Sequence, residues 1–414
     1  MSGRNVLICG LDYWPDVTGI APYTTGFAEH LAAQGDHIEV MAGMPYYPEW
    51  KVRSGYERKW RHTEQRNGVT ILRHRQYIPS RQSALHRAAY EASFMGLGMF
   101  SKRLTKPDLV VGVMPALSDG VLAARIAKRR HVPLTLWIQD LFGQAALQSG
   151  VSGGHRVAEA TARLEGWIAR QADSIAIVAE GFRPVLEGMG VAPECIHRVH
   201  NWTHIGRPTM GVAETRAALG LPHDKTVCMH AGNMGLKQGL ENIIDCARLA
   251  QHTAPDLTFV LMGDGNQRSH LQHLAQDLPN VRFLDPVSND MFPNALHAAD
   301  ILLINQRGTV TDMSLPSKLT SYLAVDRPIV AAVAQKSEIT NALEGDCRAT
   351  VVGPGDPVEL AKAIATSRRL NSNRCSGRDS TLESDGAPGR LEALGALKRA
   401  ILAADARHNS KHRA

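Results

Sequence analysis

Cysteines are few and solitary in this chain. The 414 residues hold six (Cys9, Cys195, Cys228, Cys246, Cys347 and Cys375), with no CxxC pair and no metal-ligand spacing. A disulfide scaffold and a cysteine-ligated metal centre are therefore not expected, and reduced thiols of a cytosolic protein are. Long apolar runs are also missing: none reaches the ~18 residues that span a bilayer. The nearest, Ala88 to Phe100, is shorter and carries Glu91. Met1-Ser2-Gly3-Arg4 leads straight into an apolar strand, so no signal peptide is expected. The first strand is not followed by GxGxxG, which disfavours a dinucleotide site.

What is present is a chain too long for one ordinary core, and two domains are the expectation. Short apolar strands alternate with helical patterns from end to end, which argues for parallel sheets covered on both faces. The first half reads Val6–Cys9, Ile38–Met41, Val69–Leu72, Leu109–Val113, Leu134–Ile138 and Ile175–Val178. The second half reads Val227–His230, Phe259–Met262, Arg282–Leu284, Ile301–Ile304, Ile329–Ala332 and Thr350–Val352. Two such sets predict an α/β fold of two doubly wound domains, 1–205 and 206–387, facing a cleft. Residues 370–389, rich in Ser, Asn, Gly and Arg, read as a mobile loop. Residues 388–414 then supply a last helix, with Leu391, Leu394, Leu397, Ile401 and Leu402 on its apolar face, and a disordered tail from His408.

The net charge of +6 is modest but unevenly spread. Between Lys51 and Lys106 stand thirteen Lys or Arg against Glu57, Glu64 and Glu91, interleaved with Trp50, Tyr56, Trp60, Tyr77, Tyr90 and Phe94. A solvated basic face explains this, and so does attraction to anionic lipid headgroups or a pyrophosphate-bearing lipid. No nucleic-acid reader motif accompanies the charge, so no nucleic-acid partner is expected.

The most informative segment is Ala231-Gly232-Asn233-Met234-Gly235-Leu236-Lys237-Gln238-Gly239, between a buried strand and a helix carrying Leu240, Ile243, Ile244 and Ala247. Such a turn presents backbone N–H groups and the positive end of a helix dipole, and Lys237 adds a mobile cation. That suits a diphosphate and makes nucleotide-sugar chemistry the first hypothesis. Gly263-Asp264-Gly265, after the next strand, permits close backbone approach to a nucleotide or sugar, although a tight turn alone would explain it. Gln306-Arg307-Gly308 through Asp312 to Pro316-Ser317-Lys318 forms a second candidate anion cradle, with Asp312 placed to accept from sugar hydroxyls. In the first half, Asp16, Thr18 and Gly19 precede a helix, with Thr18 a candidate N-cap. Asp140 ends a strand, beside Gln139, where a carboxylate could hold or deprotonate an acceptor hydroxyl or merely cap the turn.

Together these residues resemble the retaining glycosyltransferases of family 4, of GT-B architecture, and in particular the colanic-acid-cluster fucosyl- and N-acetylfucosaminyltransferase-like subgroup. Tyr13 to Ile20 is similar to that subgroup's opening loop, and Pro45-Tyr46-Tyr47-Pro48-Glu49-Trp50 to its Pro-Tyr-Tyr-Pro box. Ile138-Gln139-Asp140, Asn201-Trp202, Gly232 to Gly239 and Leu315 to Leu319 match in order. The resemblance implies donor binding by the second domain through Gly232, Asn233, Gly235, Lys237, Gln238, Gly263, Gly265, Arg307, Ser317 and Lys318, joined by Gly19 of the first. It implies acceptor binding by Asp16, Thr18, Tyr46, Tyr47 and Gln139, with Asp140, Lys237 and Asp312 in catalytic roles. It further implies a UDP- or GDP-sugar as co-substrate, a lipid-linked saccharide as acceptor, and a cytoplasmic enzyme peripheral on the inner face of the plasma membrane. The final helix would cross back onto the first domain. Many members carry Arg where Asn233 stands, leaving Lys318 or Arg307 to substitute. The family's Glu-x7-Glu pair is absent too, with Ser321 at the second position. No DxD-type carboxylate pair is present, so no metal and no other cofactor is expected. A nucleotide-sugar epimerase and a non-catalytic sugar-binding relative are the competing readings.

Overall fold

The computed structural model describes residues 3–16, 19–46, 50–79, 84–101, 105–141, 155–203, 205–309, 317–373 and 389–411. The chain divides into two compact units, Met1–Asn201 with Gly389–Ala414, and Trp202–Pro388. The first is built on β1 (Asn5–Cys9), β2 (His37–Gly43), β3 (Arg61–Arg66), β4 (Val69–His74), β5 (Leu109–Met114), β6 (Leu134–Ile138), β7 (Ser174–Ile177) and β8 (Ile196–Arg198). Their order is β3-β4-β2-β1-β5-β6-β7-β8. Val6-Leu7-Ile8-Cys9 and Leu109-Val110-Val111 are buried and apolar on both faces, as strands covered by helices on each side must be.

One strand departs from the all-parallel expectation. β3 pairs antiparallel with β4, Arg61 opposite His74 and Arg66 opposite Val69. It has no apolar face to announce it. Its cause is Asn67-Gly68, both at positive φ (46° and 79°), the two-residue turn that suits hairpin twist. The short β8 was equally silent in the sequence.

The second unit holds β9 (Thr226–Ala231), β10 (Leu257–Met262), β11 (Val281–Leu284), β12 (Ile301–Asn305), β13 (Ile329–Ala332) and β14 (Ala349–Val352). The order is β11-β10-β9-β12-β13-β14 and the pairings are parallel. The period of two sorts β9 cleanly. Cys228 packs with Ile244, Phe259 and Leu261 on one face, and Val227 and Met229 with Val260 and Tyr322 on the other. Cys9, Cys195, Cys228, Cys246 and Cys347 are thiols and form no disulfide among the described residues.

The last helix, Arg390–Lys411, belongs to the first unit. Leu394, Leu397, Ile401 and Ala404 are buried, while Leu391 and Leu402 stand 64% and 43% exposed, so the apolar stripe is narrower than the periodicity suggested. Asp405 pairs with Arg4, and Arg407 with Glu194 at 3.0 Å. The helix continues through His408, whose Nδ1 lies 3.3 Å from Asp173, so 408–411 are not the disordered tail expected. Residues 370–373 likewise close the helix Pro357–Asn373, and 374–388 lie outside the described residues.

In a doubly wound sheet, ligands bind beyond the carboxyl ends of the strands where the order reverses. Those points fall between β1 and β5 in the first unit and between β9 and β12 in the second.

Candidate active site

The Gly232–Gly239 turn leaves the carboxyl end of β9, at the second unit's switch point. Gly232 and Gly239 take positive φ (128° and 54°), and a short 3-10 turn, Leu236–Gln238, lies between them. The helix Glu241–Thr253 follows. Gln238 folds its side-chain oxygen onto the Gly235 N–H at 3.1 Å, so this amide stabilises the turn itself. Asn305, at the end of β12, donates through Nδ2 to the carbonyls of Gln238 and Gly239, both at 2.8 Å. Asn242 in turn donates to Asn305 Oδ1 at 2.7 Å. The turn is thus a rigid feature tied to two strands.

Gly263 and Gly265 acquire a structural reason. A Cβ on Gly263 would stand 2.0 Å from the Gly232 carbonyl oxygen, and one on Gly265 2.5 Å from that of Met234. The β9 and β10 loops are zipped through Gly232 N to Met262 O and Met234 N to Asp264 O, each at 2.8 Å. The space a side chain would fill at these glycines is occupied by the chain itself.

Three cations surround the turn and differ sharply. Lys237 is exposed and makes no ion pair among the described residues. Arg307 is committed: its guanidinium meets Glu241 at 2.8 Å and its N–H donates to the Lys237 carbonyl at 3.0 Å. Lys318 is half-buried beside Gly232, with Cε 3.3 Å and Nζ 3.9 Å from where a Cβ would stand. Its Nζ lies 3.0 Å from Nε2 and 3.4 Å from Nδ1 of the fully buried His230. Burial lowers the Lys318 ammonium to about 7 and holds His230 well below its ordinary range, the nearby Lys318 charge adding to the effect. Tyr322, one turn further along the helix Ser317–Leu323, accepts the Ala231 N–H at 2.7 Å and fixes the end of β9. Ser321, at the site of the family's second glutamate, is buried. Asn233 is exposed at the turn's tip.

In the first unit the helix Ala21–Ala33 starts with Ile20 at the cap and no side-chain cap bond among the described residues. Gly19 is exposed at φ 63° with open space around its Cα. Asp16 is buried. Gln139 forms a reciprocal amide pair with Asn201 at 3.0 and 2.7 Å. Asp140 Oδ1 accepts the following Leu141 N–H at 2.8 Å, the turn-capping role that the sequence left open beside catalysis. Tyr46 joins a buried group the sequence did not reveal. Tyr90 O–H donates to Tyr46 Oη at 2.9 Å, and both hydroxyls lie 3.5 Å from Asp12 Oδ1. Burial raises the Asp12 carboxyl despite the opposing charge of Arg87. Thr18, Tyr47 and Asp312 lie outside the described residues, as does the side chain of Ser317.

Comparisons with known proteins identify the family and the fold. Residues 18–202 match the model of the glycosyl transferase 4-like domain, and residues 225–367 that of the glycosyl transferases group 1. WcaI of Escherichia coli (strain K12), named as a colanic acid biosynthesis glycosyl transferase, is 33% identical over 352 residues, which are 82% of this chain and 86% of WcaI. The chain belongs to this glycosyltransferase family. HepE of Anabaena, solved with UDP-glucose, is 17% identical with a TM-score of 0.60 over 90% of this chain and 95% of HepE. The lipopolysaccharide glycosyltransferase WaaG gives 16% and 0.59 over 97% and 95%. Those two likenesses support the GT-B fold.

The sequence reading missed His230, Asn242, Asn305, Tyr322, Asp12 and Tyr90. Asn305 carried a signal, being a polar residue at the carboxyl end of a buried strand. His230 read as part of a strand, and nothing local tied it to a lysine eighty-eight positions away.

Proposed function

We propose that this glycosyltransferase binds a UDP- or GDP-sugar at the second unit's switch point and transfers the sugar, with retention, to a polyprenyl-diphosphate-linked saccharide. The observation that carries the reading is the Gly232–Gly239 turn at the carboxyl end of β9, with Lys237 unpaired at its tip and Lys318 beside Gly232. The family match favours transfer over epimerisation. The name of WcaI supports surface polysaccharide synthesis, with a fucose-type deoxysugar among the candidate donors. The UDP-glucose bound by HepE supports a nucleotide-sugar donor.

In transfer, negative charge grows on the leaving diphosphate. Lys237 and Lys318 stabilise that charge before solvent can reorganise, since the N–H groups of Gly232, Met234 and Gly235 are already donated within the fold. The acceptor hydroxyl attacks from the face the diphosphate leaves, giving its proton to a donor phosphate oxygen or to Asp140. In this reading no metal is required, the first unit takes the acceptor, and Asp16, Tyr46 and Gln139 lie on its side of the reaction. Exposed cations of the 51–106 segment hold the enzyme on the inner, anionic face of the plasma membrane. The test is Lys237→Ala: transfer falls about 100-fold while the fold persists, and near-normal turnover by the purified variant contradicts the diphosphate role.

A further inference from the structure

Lys318 and His230 form an unusual pair. Two nitrogen bases stand 3.0 Å apart, the imidazole is fully buried, and among the described residues no carboxylate pairs with the lysine. Among the described residues the groups around the pair are neutral. From the β9 loop and from β12 come the backbones of Asn233 and Leu303, which hydrogen-bond the imidazole. From Lys318's own helix comes Tyr322, whose hydroxyl is occupied by the Ala231 N–H. The other two cations of the turn do not compensate: Lys237 projects to solvent and Arg307 is held by Glu241. Two adjacent bases, one fully and one half buried and with no counter-ion among the described residues, disfavour a second charge, and burial disfavours even one. The bare Cα of Gly232 leaves room beside Lys318 Nζ for an anion.

We infer that His230 and Lys318 act as one proton-sharing unit, in which docking of the donor's diphosphate against Gly232 draws a proton from solvent onto Lys318 and His230 holds the resulting ammonium toward the phosphate. This rests on the donor reading above and adds the state of the cation to it. His230 is a positioning residue. The pair supplies the second cation left open by Asn233, and the Glu241 ion pair sets Arg307 aside. Burial lowers the free lysine to about 7, so an anion that raises it makes binding take up protons above neutrality.

Calorimetry of UDP and GDP binding tests this at about pH 8, where nucleoside diphosphates are fully ionised. Titrations in two buffers of different ionisation enthalpy count the protons. Uptake approaching one proton per nucleotide is expected, with Kd rising about tenfold from pH ~7.5 to ~8.5. Lys318→Arg is expected to bind without proton uptake, because guanidinium stays charged. His230→Leu is expected to weaken binding about tenfold and His230→Gln, which keeps an acceptor, to restore it. Binding without buffer dependence, or unchanged uptake in Lys318→Arg, overturns the inference and leaves the donor site standing. No binding of either nucleotide overturns the donor reading and the inference with it.

Discussion

Lys237 stands exposed on a turn held by the Gln238 and Asn305 amides, so its removal should subtract charge without disturbing structure. Lys237→Ala is expected to lower kcat/KM about 100-fold, the usual worth of a transition-state charge contact, while the melting temperature stays within about 1 °C. Steady-state kinetics beside a thermal melt check both halves. Gly263→Ala should do the reverse. Its φ of 137° and the Gly232 carbonyl 2.0 Å from the new methyl combine strain with a clash. A loss of about 2 kcal/mol or more in urea unfolding is expected. The glycines were legible in the sequence because a backbone at positive φ restricts the residue that can occupy it. Their reason was less so: Gly263 and Gly265 read as openings for a ligand, and the neighbouring loop fills them. His230 and Asp12 were illegible because their partners, Lys318, Tyr46 and Tyr90, meet them only after the sheet has formed.

Among the elements, β3 and its surroundings change the meaning of the basic segment most. Arg73 is fully buried and pairs with Glu64 of β3, while its second nitrogen donates to the Gly43 carbonyl at 2.9 Å. Arg66 pairs with Glu29 at 2.8 Å over the Trp14 ring, and Arg87 with Glu91 at 3.0 Å. These arginines serve the fold, and Tyr90 and Phe94 are core residues. Glu64→Gln leaves a buried guanidinium without its carboxylate and is expected to cost about 2 kcal/mol or more, read from the urea midpoint. The cations left for a membrane are exposed ones such as Lys51, Arg58 and Arg61, with Trp60 beside them at 69% exposure. At about 1 kcal/mol per basic residue, changing those three to Gln should weaken binding to anionic vesicles about 100-fold in low salt. Unchanged sedimentation removes the membrane role. Charge counting along the sequence could not separate the two sets, because Glu29 reaches Arg66 from the helix Ala21–Ala33 and Glu64 reaches Arg73 across the β3–β4 pair.

At the scale of the molecule, two doubly wound sheets were readable because buried parallel strands are largely apolar runs, and all twelve of these runs, from Val6–Cys9 to Thr350–Val352, recur as strands at nearly the same positions. The edges were not readable. β3 has no apolar face, and the last helix turns Leu391 and Leu402 outward while Ala400 and Ala404 pack inward. Among the described residues no helix is long and apolar enough to cross a membrane, which leaves surface charge as the means of attachment in our proposal. The central claim is that the switch point of the second sheet holds the donor's diphosphate. A thermal-shift panel of UDP- and GDP-sugars on wild type and Lys237→Ala tests it most directly, since a ligand that binds the native state alone raises the melting temperature. The account predicts a rise with one nucleotide family that is lost in the variant. A rise of equal size in both proteins, or none with any donor, would contradict it.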